Sequence, residues 1–409
     1  MLYLGLDRGR LAELHRTMRD SHRARSRVQV LNLDHRVLVD SSSWLLDGQV
    51  EIDTTQDVDR SASVTILDPD SRSGLDTGDP LDGTVGLSKM IRCRRDIWLP
   101  GYREWVSIPI FTGPVTGVAR DDAILTVQAQ GKDRLAMMPV WSSISWRKGE
   151  RRVDIIEDLM RKGAGEWAFS LPPAWSPQIG KNLTLNRVIG DEKRTVMAQA
   201  RAQAQAMARQ LFYDGRGTLR GRSLPTSSAW VVSSRDMEGP AKWSESSSEV
   251  VNVVVVKGSA PSGSAPRGSG SRGNGPSGGG AAGGASSAYR AVFVEMHLRD
   301  VDPNHPWARL SRRGVPLRFA EEIEDTSLTS ESAAKAAAAR RLREVALSEV
   351  QIEAQMLPVW TVEPGDVLTL PVGGVMRTTR VQKATLPLRG GLMTLGSVRA
   401  YRPRRGAFR

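Results

Sequence analysis

One cysteine, Cys93, stands in a chain of 409 residues. That excludes an intrachain disulfide, and with five histidines the sequence has little to offer a metal site. His15, His22 and His35 lie in or near the N-terminal region, while His297 and His305 flank a loop. No two of them have the i, i+4 spacing of a helical zinc site, and Cys93 could supply one thiolate. Apolar runs stay short of the ~18 residues that a membrane-spanning helix needs. Met1 to Gly9 also lacks the basic segment and apolar core of a secretory signal. The expectation is a disulfide-free chain kept in a reducing compartment, with no membrane-spanning segment.

Catalytic signatures are missing as well. There is no Gly-x-Ser-x-Gly elbow on a strand-to-helix turn, the one match, Gly275-Pro276-Ser277-Gly278-Gly279, falling in the Gly/Ser-rich stretch. Nor is there a His-Glu-x-x-His or a phosphate-cradling Gly-x-x-x-x-Gly-Lys-Ser/Thr. The Gly/Ser repeats of Gly268–Gly280 are low complexity, without the strand-to-helix transition that shapes an anion nest. Carboxylate pairs do occur, at Asp121/Asp122, at Asp191/Glu192, and at Glu321/Glu322 with Glu324 and Asp325. A glycosidase needs two carboxylates held ~5–9.5 Å apart. Each of these pairs lies in a polar connecting stretch, where solvated acids are the ordinary reading. Trp141 with Trp146, and Trp167 with Trp175, could stack on sugars, but core tryptophan is the commoner role. No catalytic residue, cofactor site or metal ligand is assigned.

What the sequence does have is basic charge and short alternating strands. Lys and Arg number 57 against 45 Asp and Glu, a net +12. Arginines concentrate at Arg8, Arg10, Arg16, Arg19, Arg23, Arg25 and Arg27, and again at Arg402, Arg404, Arg405 and Arg409. No helix-turn-helix, zinc finger or RNA-binding strand motif accompanies them. The surplus therefore points to acidic partner subunits, or to non-specific attraction to polyanions, rather than to bases being read.

Residues 1–27 read as a basic helical arm. Its helix spans Arg10–Arg27, with Leu11, Leu14 and Met18 as a narrow apolar stripe. From Val28 the period changes to two. Strands are expected at Val28–Leu33, Arg36–Val39, Gly48–Asp53, Ser61–Asp68, Met90–Arg95, Trp105–Phe111, Gly113–Val118 and Ala123–Gln130, with a loop at Pro69–Gly86. This spacing defines a first antiparallel barrel or sandwich over 28–135. An α/β middle domain follows over 136–225. It holds helices at Val153–Lys162 and Thr195–Leu211, then a hairpin turning at Asp214-Gly215. A second β domain takes 226–257 and 289–409, interrupted by a flexible Gly/Ser-rich stretch at 258–288. A helix at 329–346, with Thr329 as its cap, is inserted in it. The fold class is β-rich α+β, two antiparallel β domains with an α/β insert between them.

This order of features resembles the tail hub, or baseplate hub, proteins of long-tailed bacteriophages. The resemblance covers Val28 to about Arg402 and rests on four pieces. The first is Leu46-Asp47-Gly48-Gln49-Val50 leading to Arg60–Asp68. The second is the helix before Leu211-Phe212-Tyr213-Asp214-Gly215-Arg216-Gly217. The third is Val251-Asn252-Val253-Val254-Val255-Val256-Lys257-Gly258, and the fourth is the helix before Glu363-Pro364-Gly365-Asp366-Val367-Leu368.

The resemblance implies two similar β-barrels per chain. A homotrimer would then close a pseudo-sixfold ring that adapts a sixfold tail tube to a threefold tip. It also implies distal tail and tail tube proteins, a tape measure protein and tip fibre or receptor-binding proteins as partners. Double-stranded DNA would pass non-specifically through the lumen of a virion tail tip assembled in the host cytoplasm. With no C-terminal extension left for a lysozyme-like domain, the expectation is a bare structural hub and not an enzyme. A tail-associated cell-wall-degrading enzyme and a carbohydrate-binding tail-tip adhesin are the competing readings.

Overall fold

A computed structural model describes residues 2, 4–20, 22–68, 75, 88–172, 177–180, 182–185, 195–207, 209–245, 251–261, 289–303, 306–324, 330–348 and 350–399. Most of the expected loops at Pro69–Gly86 and Gly258–Ala288 lie outside this range. So do Trp175, Asp191, Glu192, His305, Asp325, Thr329 and the four C-terminal arginines from Arg402 onward. The described residues fall into two compact units, one within 1–243 and 351–402 and the other within 244–350.

The first unit opens with helix α1 (Arg8–Thr17) and strands β1 (Ala24–Asn32), β2 (Val37–Asp40), β3 (Leu45–Asp53) and β4 (Arg60–Leu67). Strands β5 (Lys89–Leu99), β6 (Glu104–Asp121) and β7 (Ile124–Gln130) follow. Then come β8 (Ile144–Trp146), α2 (Arg152–Ala164), β9 (Phe169–Ser170), β10 (Leu183–Leu185), α3 (Val196–Gln205), β11 (Arg209–Tyr213), β12 (Leu219–Ser223), β13 (Trp230–Val231) and β14 (Lys242–Glu245). The second unit carries β15 (Val253–Pro261), β16 (Tyr289–His297), α4 (Leu298–Val301), β17 (Ser311–Arg312), β18 (Val315–Pro316), β19 (Ala320–Glu324) and α5 (Glu331–Ser348). The chain then returns to the first with β20 (Val350–Met356), β21 (Val367–Val372), β22 (Val375–Pro387) and β23 (Met393–Arg399).

The N-terminal helix is shorter than its basic run suggests. Asp7 caps it, accepting the Arg10 N–H at 2.9 Å, and Leu14 and Met18 are buried. After Met18 no large apolar residue recurs before Val28, so nothing holds a further turn against a core. From Ala24 the chain is strand, pairing with β5 from Ala24↔Ile97 to Asn32↔Lys89. The arm packs on its own unit: Glu13 accepts the Gly101 N–H at 2.6 Å, and Arg10 pairs with Glu104 at 2.6 Å.

The two strands expected at Trp105–Phe111 and Gly113–Val118 are one strand, β6, of 18 residues. It pairs with β5 up to Pro114 and with β7 from Val115 onward, and each ladder carries a bulge. Gly113 lies at the changeover, where a Cβ would sit 2.0 Å from the Gln130 carbonyl oxygen.

The large sheet is ordered β14-β20-β23-β22-β3-β4-β7-β6-β5-β1-β2, antiparallel from β20 to β2, with β21 on β22 and β13 parallel to β21. Strands of both expected β regions lie in it, joined where β22 pairs with β3 from Lys383↔Asp53 to Pro387↔Gln49. Strands β15, β16 and β19 form a separate sheet. There the valine run, Val254 and Val256, packs against Ala334, Ala338 and Leu342 of α5. Ser330 Oγ accepts the Ala333 N–H at 3.2 Å at the start of α5.

The middle segment folds much as its periodicity predicts. Helix α2 buries Val153, Ile156, Leu159 and Met160 together with Ile155, and stops at Gly165 in the left-handed region, φ +64°. Thr195 caps α3, which ends at Gln205, so Leu211 lies in β11. The α2 residues meet Val196, Met197, Ala200 and Ala204 of α3 over Leu211, Tyr213 and Leu219 of the β11–β12 hairpin.

Candidate functional site

The two turns that stand out in the sequence, Tyr213-Asp214-Gly215-Arg216-Gly217 and Glu363-Pro364-Gly365-Asp366, converge on one arginine. Arg60 opens β4 in phase with Ala62, Val64 and Ile66, the inward positions of that strand. It is 3 % exposed. Its guanidinium donates to the Ile110 carbonyl at 2.8 Å, to the Tyr213 carbonyl at 3.3 Å and to the Glu363 carboxylate. One side chain thereby ties together β4, β6, β11 and the turn before β21.

Each turn is closed from within. Asp214 accepts the N–H groups of Arg216 at 2.9 Å and Thr218 at 3.1 Å, and pairs with Arg220 at 2.6 Å. Pro364 and Gly365, the latter at φ +77°, fill the central positions that a type II turn wants. Asp366 accepts the Glu363 N–H and the Arg222 guanidinium, both at 2.8 Å. The hairpin turn also docks on β6, where Thr112 Oγ1 donates to the Gly215 carbonyl at 3.1 Å.

Two further ionic groups lie in the same unit. Lys132 Nζ sits 2.8 Å from Glu166, whose other contacts are the Tyr213 hydroxyl at 2.8 Å and the N–H groups of Trp167 and Ala168. Arg201 bridges Asp59 at 3.0 Å and Asp133 at 3.2 Å. Burial pushes the Glu363 carboxyl up to about 7 against the pull of Arg60, with Asp214 and Asp366 adding to the rise. Burial, then Asp133, raises Asp59, and burial holds the Tyr213 hydroxyl well above its ordinary value. With Arg60, Asp214, Glu363 and Asp366 all buried, these groups meet other protein groups rather than solvent. The arrangement ties β4, β6, β11 and the turn before β21 together.

Of the acidic pairs picked out by sequence, Asp191/Glu192 lie outside the described residues, and the described ones have surroundings of their own. Asp121 and Asp122 are exposed at the β6–β7 turn, Asp122 at φ +53°. Glu321 and Glu322 are spent in pairs with Arg341 and Lys257 across the second unit. His15 packs edge-on against Trp230, His35 against Trp167, and His297 pairs with Glu295. Among the described residues no group of three potential metal ligands comes together, and no helix is long and apolar enough to cross a membrane. Trp146 is core, donating to Asp158 at 3.1 Å, whereas Trp141 and Trp167 are exposed.

Cys93 is fully buried, and burial lifts its thiol to about 12. Native protein is therefore expected not to react with an aromatic disulfide reagent at neutral pH, with full labelling on unfolding. Rapid stoichiometric labelling of the native chain would contradict this packing.

No protein-family model matches the sequence, and no curated protein matches it. Solved structures do. The tail protein from Neisseria meningitidis MC58 superposes with a TM-score of 0.55 at 11% identity, over 91% of this chain and 96% of that one. The 43 kDa tail protein of prophage MuSo2 from Shewanella oneidensis gives 0.53 at 11% identity, over 92% and 98%. The chain thus has a fold seen in phage tail proteins, matched over nearly the whole of each partner.

Proposed function

We propose that this chain is a structural protein of a phage tail, a homotrimeric hub at the distal end that surrounds the DNA exit channel. The observation that carries this reading is the end-to-end fold correspondence with two tail proteins, which leaves little of either chain unmatched. The β3–β22 pairing supports it further, since it sets an N-terminal and a C-terminal β region side by side in one sheet. Two neighbouring β regions per chain are what a sixfold ring of three subunits requires. The sheet path ends in β2 and β14, four residues each, short edges that a neighbouring subunit would cover. The hub would adapt a sixfold tail tube to a threefold tip, meeting tail tube, tape measure and tip fibre proteins, and it would perform no catalysis.

Light scattering on the purified chain tests this directly. The expected mass is three times the 44.7 kDa of one chain, with rings in negative stain. A concentration-independent monomer, and tails whose tip lacks this chain, would overturn the reading.

A further inference from the structure

Above the outer face of β5 lies a cavity of about 250 Å³, lined by Arg92, Arg94, Ser107, Pro109 and Arg216. Three arginines surround it from two sides. Arg92 and Arg94 rise from alternate positions of β5, opposite Gln29 and Arg27 on β1 and opposite Thr112 and Pro109 on β6. Arg216 comes from the hairpin turn that docks on β6. The lining holds no carboxylate.

Two acids, Asp96 and Asp40, act on Arg94, and both have other partners. Asp96 is held by Arg25 and Arg27, both at 2.8 Å. Asp40 is held by Ser42 and Gln29. Arg92 and Arg94 form no ion pair among the described residues, and Arg94 Nε is buried without a hydrogen-bond partner. Burial lowers both guanidiniums. Each also feels like charge: Arg92 from Arg94, and Arg94 from Arg27 and Arg216 against the help of Asp96. An arginine does not escape by losing its proton, so such a cluster is relieved by an anion.

We propose that this pocket binds a phosphate group. A carboxylate is planar, and its two oxygens are satisfied by one guanidinium fork. Three arginines lining one volume offer enough donors for the oxygens of a tetrahedral anion, with Ser107 of the same lining as a neutral donor. The group can come from inorganic phosphate or from a nucleic-acid backbone, and the proposal stands on the pocket alone.

The full chain is titrated with inorganic phosphate by calorimetry, and its melting temperature is compared in phosphate and in chloride at matched ionic strength. Phosphate is expected to bind saturably and to raise the melting temperature above that in chloride. Arg92→Gln with Arg94→Gln should weaken binding about tenfold or more and abolish the shift, while melting in chloride no lower than the parent. Arg147→Gln, an exposed arginine elsewhere, should leave both unchanged. If the double variant does not fold, Arg94→Lys keeps the charge but loses the fork, and should still weaken binding.

Labelled duplex DNA separates the sources. Displacement of phosphate by duplex assigns the site to a backbone phosphodiester, and failure to displace assigns it to the free ion. No phosphate effect beyond that of chloride would overturn the proposal, as would unchanged binding in the double variant. Tighter, displacing binding of poly-glutamate would also overturn it, in favour of an acidic protein partner.

Discussion

Replacing Arg60 by methionine is expected to destabilise the first unit by about 3–5 kcal/mol, the usual cost of stripping one partner from a buried ion pair. Three acceptors lose their donor at once: the Glu363 carboxylate and the carbonyls of Ile110 and Tyr213. Changing Glu363 to leucine in the same chain should recover much of the loss, because no charge is then left stranded. Chemical denaturation followed by tryptophan fluorescence reads both. A loss below about 1 kcal/mol would mean that water replaces the guanidinium, and that the junction does not hold the turns.

The same pair carries a pH signature. Glu363 titrates near 7 when folded, above its ordinary 4.5, so the native state keeps a proton that the unfolded chain has released. Its contribution to stability is present below about 4.5 and is lost as pH rises through about 7. His35 acts in the opposite sense, since burial lowers it to about 4, and its contribution grows as pH rises toward 6.5. The two overlap below 6.5. The test is therefore the difference between parent and Glu363→Gln, which should show the parent losing relative stability up to about pH 7.

Much of this architecture could be read from residue order, and what escaped has a physical reason. Strands and turns announce themselves locally, through alternation or through Asp-Gly and Pro-Gly pairs, so the β11–β12 hairpin and the turn at Glu363 stood out. Their meeting did not, because Arg60 lies 153 positions from Tyr213 and 303 from Glu363. A signal was nevertheless present: Arg60 occupies an inward phase shared with Ala62, Val64 and Ile66, where a charge needs a partner. Lys132 and Glu166 gave no such sign, since Lys132 opens a five-residue 3-10 turn and Glu166 stands in an irregular stretch, neither long enough to set a period. The separation of β15 and α5 from β20–β23, expected in one domain with them, was also hidden. A valine run reads as a buried strand whichever sheet receives it, and only tertiary packing chose the smaller one. Arg92 and Arg94 alternate around Cys93 as an outward pair would, but Arg216, which lines the same cavity, comes from a hairpin more than a hundred residues away.

Adding one methyl group at Gly215 is expected to cost about 3 kcal/mol, at the upper end of overpacking penalties. A Cβ there would sit 2.2 Å from the Pro109 carbonyl oxygen and 2.8 Å from its carbon. Both are backbone atoms of β6, which is held between β5 and β7, so neither can swing aside as a side chain would. The hairpin must lift instead, breaking the Thr112–Gly215 hydrogen bond and loosening the Tyr213 carbonyl from Arg60. Gly180→Ala is the control, because nothing lies within 4 Å of its Cβ, and it should stay within about 0.5 kcal/mol of the parent. The effect also reaches the arginine pocket: Arg216 follows Gly215 directly, so a lifted turn withdraws one of three guanidiniums from the cavity. Gly215→Ala should therefore weaken phosphate binding even where the chain stays folded. A variant that binds phosphate normally would show that Arg216 is not needed there. One that melts with the parent would show that the turn does not press on β6, and that Gly215 is dispensable to the junction.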